Sequence, residues 1–175
     1  MRIVGGKFAG RDLTSPNDSR VRPTAEPVRA AMLDRLGDAL KEARILDLFA
    51  GTGALGLEAL SRGAAAADFV ETRPSSLHAL KANIVLLRAR ERTRVFKRDA
   101  LPFAAALREG SYDITFVDPP YESRMLDRVI EGWQRTRFSA ILVAEHAATH
   151  SLPAGAKLLR FGETSVSFYG LPEDR

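Results

Sequence analysis

Residues 44–63, RILDLFAGTGALGLEALSRG, constrain the fold of this chain more tightly than any other stretch. Ile45, Leu46, Leu48 and Phe49 form a short, nearly unbroken apolar run, the pattern of a strand buried on both faces of a parallel sheet. Gly51 and Gly53 follow at once. Leu55, Leu57, Ala59 and Leu60 then recur with helical spacing, and Gly63 stands where a helix C-cap is expected. Strand, glycine turn and helix in this order build the half-unit that receives a nucleotide-like ligand at the strand's carboxyl end. Glycine lets the backbone approach the ligand, and the first helical turn offers N–H groups without intrahelical partners.

Two ligands satisfy such a half-unit. Gly51, Gly53 and Gly56 match G-x-G-x-x-G, and Glu71 lies about twenty residues further on, as in dinucleotide binding. Asp47, however, stands just before the turn, in the order D-x-F-x-G-x-G. Its carboxylate repels a pyrophosphate and attracts an ammonium group. S-adenosylmethionine carries an α-amino group and a sulfonium, and no phosphate. Asp47 therefore favours a methyltransferase over a dehydrogenase, with a plain strand-to-helix turn as the bland alternative.

The 175 residues suit one main domain, and 45% hydrophobic residues supply a core. A net charge of +4 points weakly to a polyanionic partner. There is no cysteine, which excludes disulfides, thiolate catalysis and thiolate zinc sites. His78, His146 and His150 are too scattered to predict a metal centre. No apolar run is long enough for a membrane span and the N-terminus carries no secretion signal, so a soluble, cytoplasmic protein is expected.

Taken in order, residues 1–22 form an appendage in which two short extended pieces, 2–4 and 11–13, flank Gly5, Gly6 and Gly10, as in a small hairpin. Its cations, among them Arg2, Lys7, Arg11 and Arg22, suit phosphate contacts; a solvated, flexible leader is the equal alternative. Thr24 is expected to N-cap a helix in which Val28, Met32 and Leu36 share one face. A second strand is expected at 66–70. Glu71 at its tip is placed to accept two hydrogen bonds from a ribose diol. The helix opened by Arg73 and Pro74 turns Leu77, Leu80, Ile84 and Leu87 inward. Residues 88–98 then concentrate Arg88, Arg90, Arg92, Arg94, Lys97 and Arg98, part helix capping and part candidate phosphate rim.

A third strand at 93–96 ends before Asp99, which either accepts from an adenine amine or caps a helix beginning at Pro102. The fourth strand, 112–117, delivers Asp118-Pro119-Pro120-Tyr121. Consecutive prolines stiffen this loop and leave carbonyls as its acceptors. Asp118 and the Pro119 carbonyl can accept both hydrogens of an exocyclic base amine, while Tyr121 stacks on the ring. Accepting those hydrogens favours the rehybridised amine, whose lone pair is free to attack. Trp133 falls on the inward face of the next helix and is read as core. A fifth strand at 140–145 precedes a closing hairpin of 156–161 and 165–169 around Gly162.

The glycine turn followed by DPPY resembles the S-adenosylmethionine-dependent amino-methyltransferases. RIVGGKFAGRDL, RPTAEPVRAAML and DLFAGTGALGLEAL narrow this: the chain resembles the RsmD family, bacterial guanine-N2 methyltransferases of small-subunit (16S) ribosomal RNA. The resemblance implies an α/β fold, a Rossmann-like class I methyltransferase with a seven-stranded, mostly parallel sheet and a C-terminal antiparallel hairpin. It divides the chain into an RNA-contacting extension, 1–22, and a methyltransferase domain, 23–175. It implies that Asp47, Phe49, Gly51 and Gly53 line the methionine end of S-adenosyl-L-methionine, that Glu71 holds ribose, and that Asp99 and Ala100 border adenine. Asp118, Pro119, Pro120 and Tyr121 would form the guanine pocket. Thr24 and Arg22 would lie over the cofactor and substrate entrance, and Arg2, Lys7, Arg11 and Arg22 would contact RNA. The segment KRDA, ending at Ala100, is more basic than the family pattern.

The expected activity is thus methyl transfer to guanine N2 by a monomer without a metal, acting on ribosomal RNA in the small subunit or its assembly intermediate. The rivals are adenine-N6 or cytosine-N4 methylation of DNA or RNA, an NAD-dependent oxidoreductase, and a non-catalytic RNA-binding factor.

Overall fold

The computed structural model describes residues 1–19, 23–121 and 123–173. Five parallel strands form most of one sheet: β1 (Arg44–Leu48), β2 (Ala66–Val70), β3 (Thr93–Phe96), β4 (Tyr112–Val117) and β5 (Ser139–Ala147). A terminal hairpin, β6 (Ala156–Phe161) and β7 (Thr164–Tyr169), completes it, with β7 inserted antiparallel between β5 and β6. The seven-stranded order is β3-β2-β1-β4-β5-β7-β6. The sheet grows outward from β1 in one direction and then resumes beside it with β4. That reversal leaves a crevice at the carboxyl ends of β1 and β4, where doubly wound sheets take their ligands.

Strand alternation explains the layers. Ile45, Phe69, Ile114, Phe116 and Val143 share one buried cluster with α1 (Glu26–Leu36), α2 (Ala54–Ser61) and α3 (Pro74–Leu86). Leu46, Leu48, Val70, Val117 and Leu142 face the opposite cluster, which holds α4 (Ala100–Ala105) and α5 (Met125–Thr136). Consecutive residues of a strand point to opposite faces, so a continuous apolar run is what a sheet covered on both sides requires. Trp133 is buried on α5 and donates its indole N–H to the Ser139 carbonyl at 2.8 Å.

Two helix starts differ from expectation. Thr24 does not cap α1: Ala25 holds the N-cap position without any side-chain cap, and the Thr24 hydroxyl is used elsewhere. Helix α4 begins at Ala100, ahead of Pro102, because Asp99 adopts the extended N-cap conformation and Pro102 fits the first turn without loss of a hydrogen bond.

The N-terminal piece, residues 1–14, is docked on the domain by an apolar underside while most of its side chains stay exposed. Ile3, Phe8 and Leu13 are buried in the first cluster, and Arg2 and Asp12 form an antiparallel bridge. Its anchor is a pair of fully buried charges that sequence reading missed. Arg29 Nε donates to Glu58 Oε2 at 3.1 Å, and Glu58 also accepts the N–H groups of Val4, at 3.0 Å, and Gly5, at 2.8 Å. Arg29 donates further to the Arg2 carbonyl. The bond count explains how a buried ion pair is tolerated: the remaining polar atoms are partnered by backbone and by the Arg62 side chain.

Candidate active site

A cleft of about 580 Å³ opens at the crevice between β1 and β4. It is lined by Thr24, Asp47, Phe49, Gly51, Glu71, Asp99, Ala100, Asp118, Pro119, Pro120 and Tyr121, so every cleft residue expected from the sequence meets there except Gly53. Gly51 and Asp118, 67 positions apart along the chain, open onto the same space.

The glycines have different reasons. Gly51 has φ +57, and a Cβ there meets nothing within 4 Å. Gly53, at the N-cap of α2 in the left-handed conformation, is demanded by packing: a Cβ would lie 2.3 Å from Leu80 Cδ1. Gly53 itself is not among the residues that line the cleft. Phe49 takes φ +58, a conformation costing an ordinary L-residue roughly 1–2 kcal/mol. The strain sits at the turn where the backbone bends around the cleft.

Glu71 ties two strand tips together. Its Oε2 accepts the Gly51 N–H at 2.7 Å, and its Oε1 accepts the N–H groups of Thr72 and Arg73, each at 2.9 Å. Oε1 is filled by its two N–H groups, while Oε2 retains lone-pair capacity, so a ribose hydroxyl can still donate to it. Asp99 holds the N-cap position of α4 without a side-chain cap bond and lines the cleft. Asp47 is buried, and its Oδ2 accepts the Gly56 N–H at 3.0 Å. Burial pushes its carboxyl up to about 8, with the Gly56 bond opposing and the Glu71 charge adding to the rise.

Three further residues escaped sequence reading. Glu145 on β5 is buried beside the DPPY loop: Thr24 Oγ1 donates to its Oε2 at 2.7 Å and lies 3.3 Å from Asp118 Oδ2. The Tyr121 hydroxyl donates to Glu145 Oε1 at 3.2 Å and lies 3.0 Å from Thr164 Oγ1. Burial, foremost, holds that phenol above its ordinary value. Asn83 on α3 grips the glycine loop from behind, its Nδ2 donating to the carbonyls of Thr52 and Thr14, each at 3.0 Å. Ser76, in the first turn of α3, lines the cleft with a buried hydroxyl that has no partner among the described residues. The one available signal was polarity on an inward helix face: Ser76 and Asn83 interrupt the apolar series of Leu77, Leu80 and Ile84.

The donor set fits S-adenosylmethionine. Among the described residues the cleft presents four carboxylates (Glu71, Asp99, Asp118 and Glu145) and the proton-holding carboxyl of Asp47 against two arginines (Arg73 and Arg98). Such a balance disfavours a pyrophosphate and suits an ammonium, a sulfonium, a diol and base amines. The Ser76 hydroxyl, which lines the same cleft as Glu71, offers a polar partner to a ligand there.

The basic residues divide. Lys7 and Arg11 lie over the Phe8 ring, 5.8 and 6.0 Å from its centroid, and Arg2 is largely exposed near Asp12. Arg22 lies outside the described residues. Within the 88–98 run, Arg94 is committed to Asp68 at 2.6 Å, so it serves the β2–β3 pair as a structural group. Arg98 borders the cleft and lies over Phe103.

A family model described as Conserved hypothetical protein 95 matches residues 1–169. The ribosomal RNA small subunit methyltransferase D of Escherichia coli K12 is 36% identical over 159 residues, covering 87% of this chain and 78% of that protein. A solved structure, a hypothetical protein of Thermus thermophilus, superposes with a TM-score of 0.80 at 30% identity, covering 98% of this chain and 99% of the other. An RNA methyltransferase from Salinibacter ruber, solved with S-adenosyl-L-homocysteine, shares the fold with a TM-score of 0.66 at 16% identity over 88% of this chain and 96% of its own.

Proposed function

We propose for this chain, which belongs to the family described as Conserved hypothetical protein 95, the transfer of a methyl group from S-adenosylmethionine to the exocyclic N2 amine of a guanine in small-subunit ribosomal RNA. The chain is a methyltransferase by its relatives and its fold. The observation that carries the reading is the single cleft onto which both the glycine turn and the DPPY loop open.

S-adenosylmethionine supplies a methyl group made electrophilic by its sulfonium. The residues that would hold it are Asp47, toward its amino group, Glu71 and Ser76, toward ribose, and Asp99 with Ala100, beside adenine. On the other side, Asp118 and the Pro119 carbonyl accept the hydrogens of the base amine, and Tyr121 forms a wall for the ring. An aromatic amine is a weak nucleophile because its lone pair is delocalised. Drawing its hydrogens toward fixed acceptors favours the pyramidal nitrogen. Most of the rate comes from holding two reactants in line in a cleft that replaces water by preset dipoles. Asp118 need not be a strong base, since the methylated nitrogen is acidic and its proton can leave to solvent.

RNA contact falls to Arg2, Lys7 and Arg11 on the docked N-terminal piece, with the rest of recognition supplied by the small subunit or its assembly intermediate. This substrate puts the activity in the cytoplasm, with the chain acting as a monomer; no helix among the described residues is long and apolar enough to cross a membrane. The test is to incubate the protein with labelled S-adenosylmethionine and small-subunit particles from a strain lacking it, then map the label. N2-methylguanine is expected. Label on an adenine N6 or cytosine N4 overturns the base assignment, and RNA binding without label overturns the enzyme.

A further inference from the structure

The second carboxylate in the base slot has no task in the chemistry above. Val117 pairs with Ala144 in register, so Asp118 and Glu145 follow paired residues on adjacent parallel strands and stand side by side at the cleft. One hydroxyl, that of Thr24, spans them. Glu145 is held from two directions, by Thr24 on one oxygen and Tyr121 on the other, which fixes its rotamer in the slot. A preset pair of acceptors selects an edge rich in donors. Guanine offers one: the ring N1–H adjoins the N2 amine. Adenine and cytosine place a lone pair next to their amine, and a buried carboxylate repels it.

We propose that Glu145 restricts the slot to guanine by accepting the N1–H, while Asp118 and the Pro119 carbonyl take the N2 amine. This rests on the guanine-N2 reading and adds to it a residue that determines specificity. Glu145 is a positioning contact to the unreactive side of the base, and the loop Pro119–Tyr121 remains the seat of transfer.

The experiment keeps the reacting amine and changes only its neighbourhood. Small-subunit particles are reconstituted around 16S ribosomal RNA ligated to carry either guanine or 2-aminopurine at the methylated nucleotide. 2-Aminopurine retains the 2-amino group but has a lone pair at N1. Wild-type protein is expected to prefer guanine by at least ~100-fold in kcat/KM, as a site built for a donor rejects an analogue lacking it. Glu145→Gln keeps a carbonyl for Thr24 or Tyr121 and turns an N–H toward N1, so the preference is expected to fall by at least ~30-fold. A merely structural role lowers both rates together and leaves the ratio unchanged, which overturns the proposal. Equal wild-type turnover of the two bases overturns it without any variant, should Glu145→Gln fail to fold. A wild-type product other than N2-methylguanine fells the guanine reading and this inference with it; an unchanged ratio with the expected product fells the inference alone.

Discussion

The backbone N–H of Gly51 and the Oε2 atom of Glu71 lie 2.7 Å apart, joining the turn after β1 to the tip of β2. One carboxylate thus shapes the glycine turn and faces the cleft. Glu71→Ala is expected to weaken S-adenosylhomocysteine binding by about 10-fold, one charge-assisted hydrogen bond at about 1.5 kcal/mol. Titration calorimetry measures it. An unchanged Kd removes Glu71 from the ribose site.

Asp118→Ala separates chemistry from cofactor binding. Transfer is expected to fall by about 100- to 1000-fold, the scale of losing one preset hydrogen-bonding group at the reacting centre. Affinity for S-adenosylhomocysteine should stay within several-fold of wild type, because Asp118 faces the base. Loss of both together would assign Asp118 to the cofactor.

Asp47 gives a pH signature with a definite sign. Its carboxyl is pushed up to about 8, mainly by burial. Between about pH 4 and pH 8 the folded chain keeps a proton that the unfolded chain releases, so unfolding free energy falls as pH rises through this window, by up to about 1.4 kcal/mol per unit. Above the window the contribution is flat. Asp47→Asn should lack this slope, and the difference between the two urea-denaturation profiles isolates it. An ammonium docked at Asp47 holds it ionised, so ligand binding near neutral pH should release a proton, seen as a calorimetric heat that depends on the buffer. Identical profiles for wild type and Asp47→Asn would show that Asp47 ionises normally.

Arg29→Met tests the latch of the N-terminal piece. It leaves Glu58 buried with Arg62 and the Val4 and Gly5 N–H groups as its remaining partners. Breaking such a pair costs about 3 kcal/mol. Urea denaturation reads that loss, and trypsin should cut faster after Lys7 and Arg11. Cutting at the wild-type rate would mean that the apolar contacts of Ile3, Phe8 and Leu13 suffice.

What was legible in the chain is what local pattern encodes. The bounds of β2, β3, β4 and β6 follow from apolar runs and their flanking turn residues, and the crevice follows from the glycine turn and DPPY each closing a parallel strand. What was not legible depends on partners far away in sequence. Thr24 resembles an N-cap in its local setting, yet its hydroxyl goes to Glu145, 121 positions on. Glu145 itself looks like the acid that ends a strand. Arg29 and Glu58 look in sequence like ordinary helix charges, and their pairing across α1 and α2, capped by the backbone of residues 2–5, is visible only in the fold. The N-terminal piece was open between phosphate arm and flexible leader because Ile3, Phe8 and Leu13 have neither helical nor strand spacing.

The placement of β7 has a consequence for synthesis of the chain. Thr164 holds the Tyr121 hydroxyl, and Val166 pairs with Glu145. Both belong to β7, which is made after the other six strands of this sheet. A nascent chain displaying the glycine turn and DPPY but not yet β7 therefore has an unfinished base slot, and competence waits until β7 slides between two strands made before it.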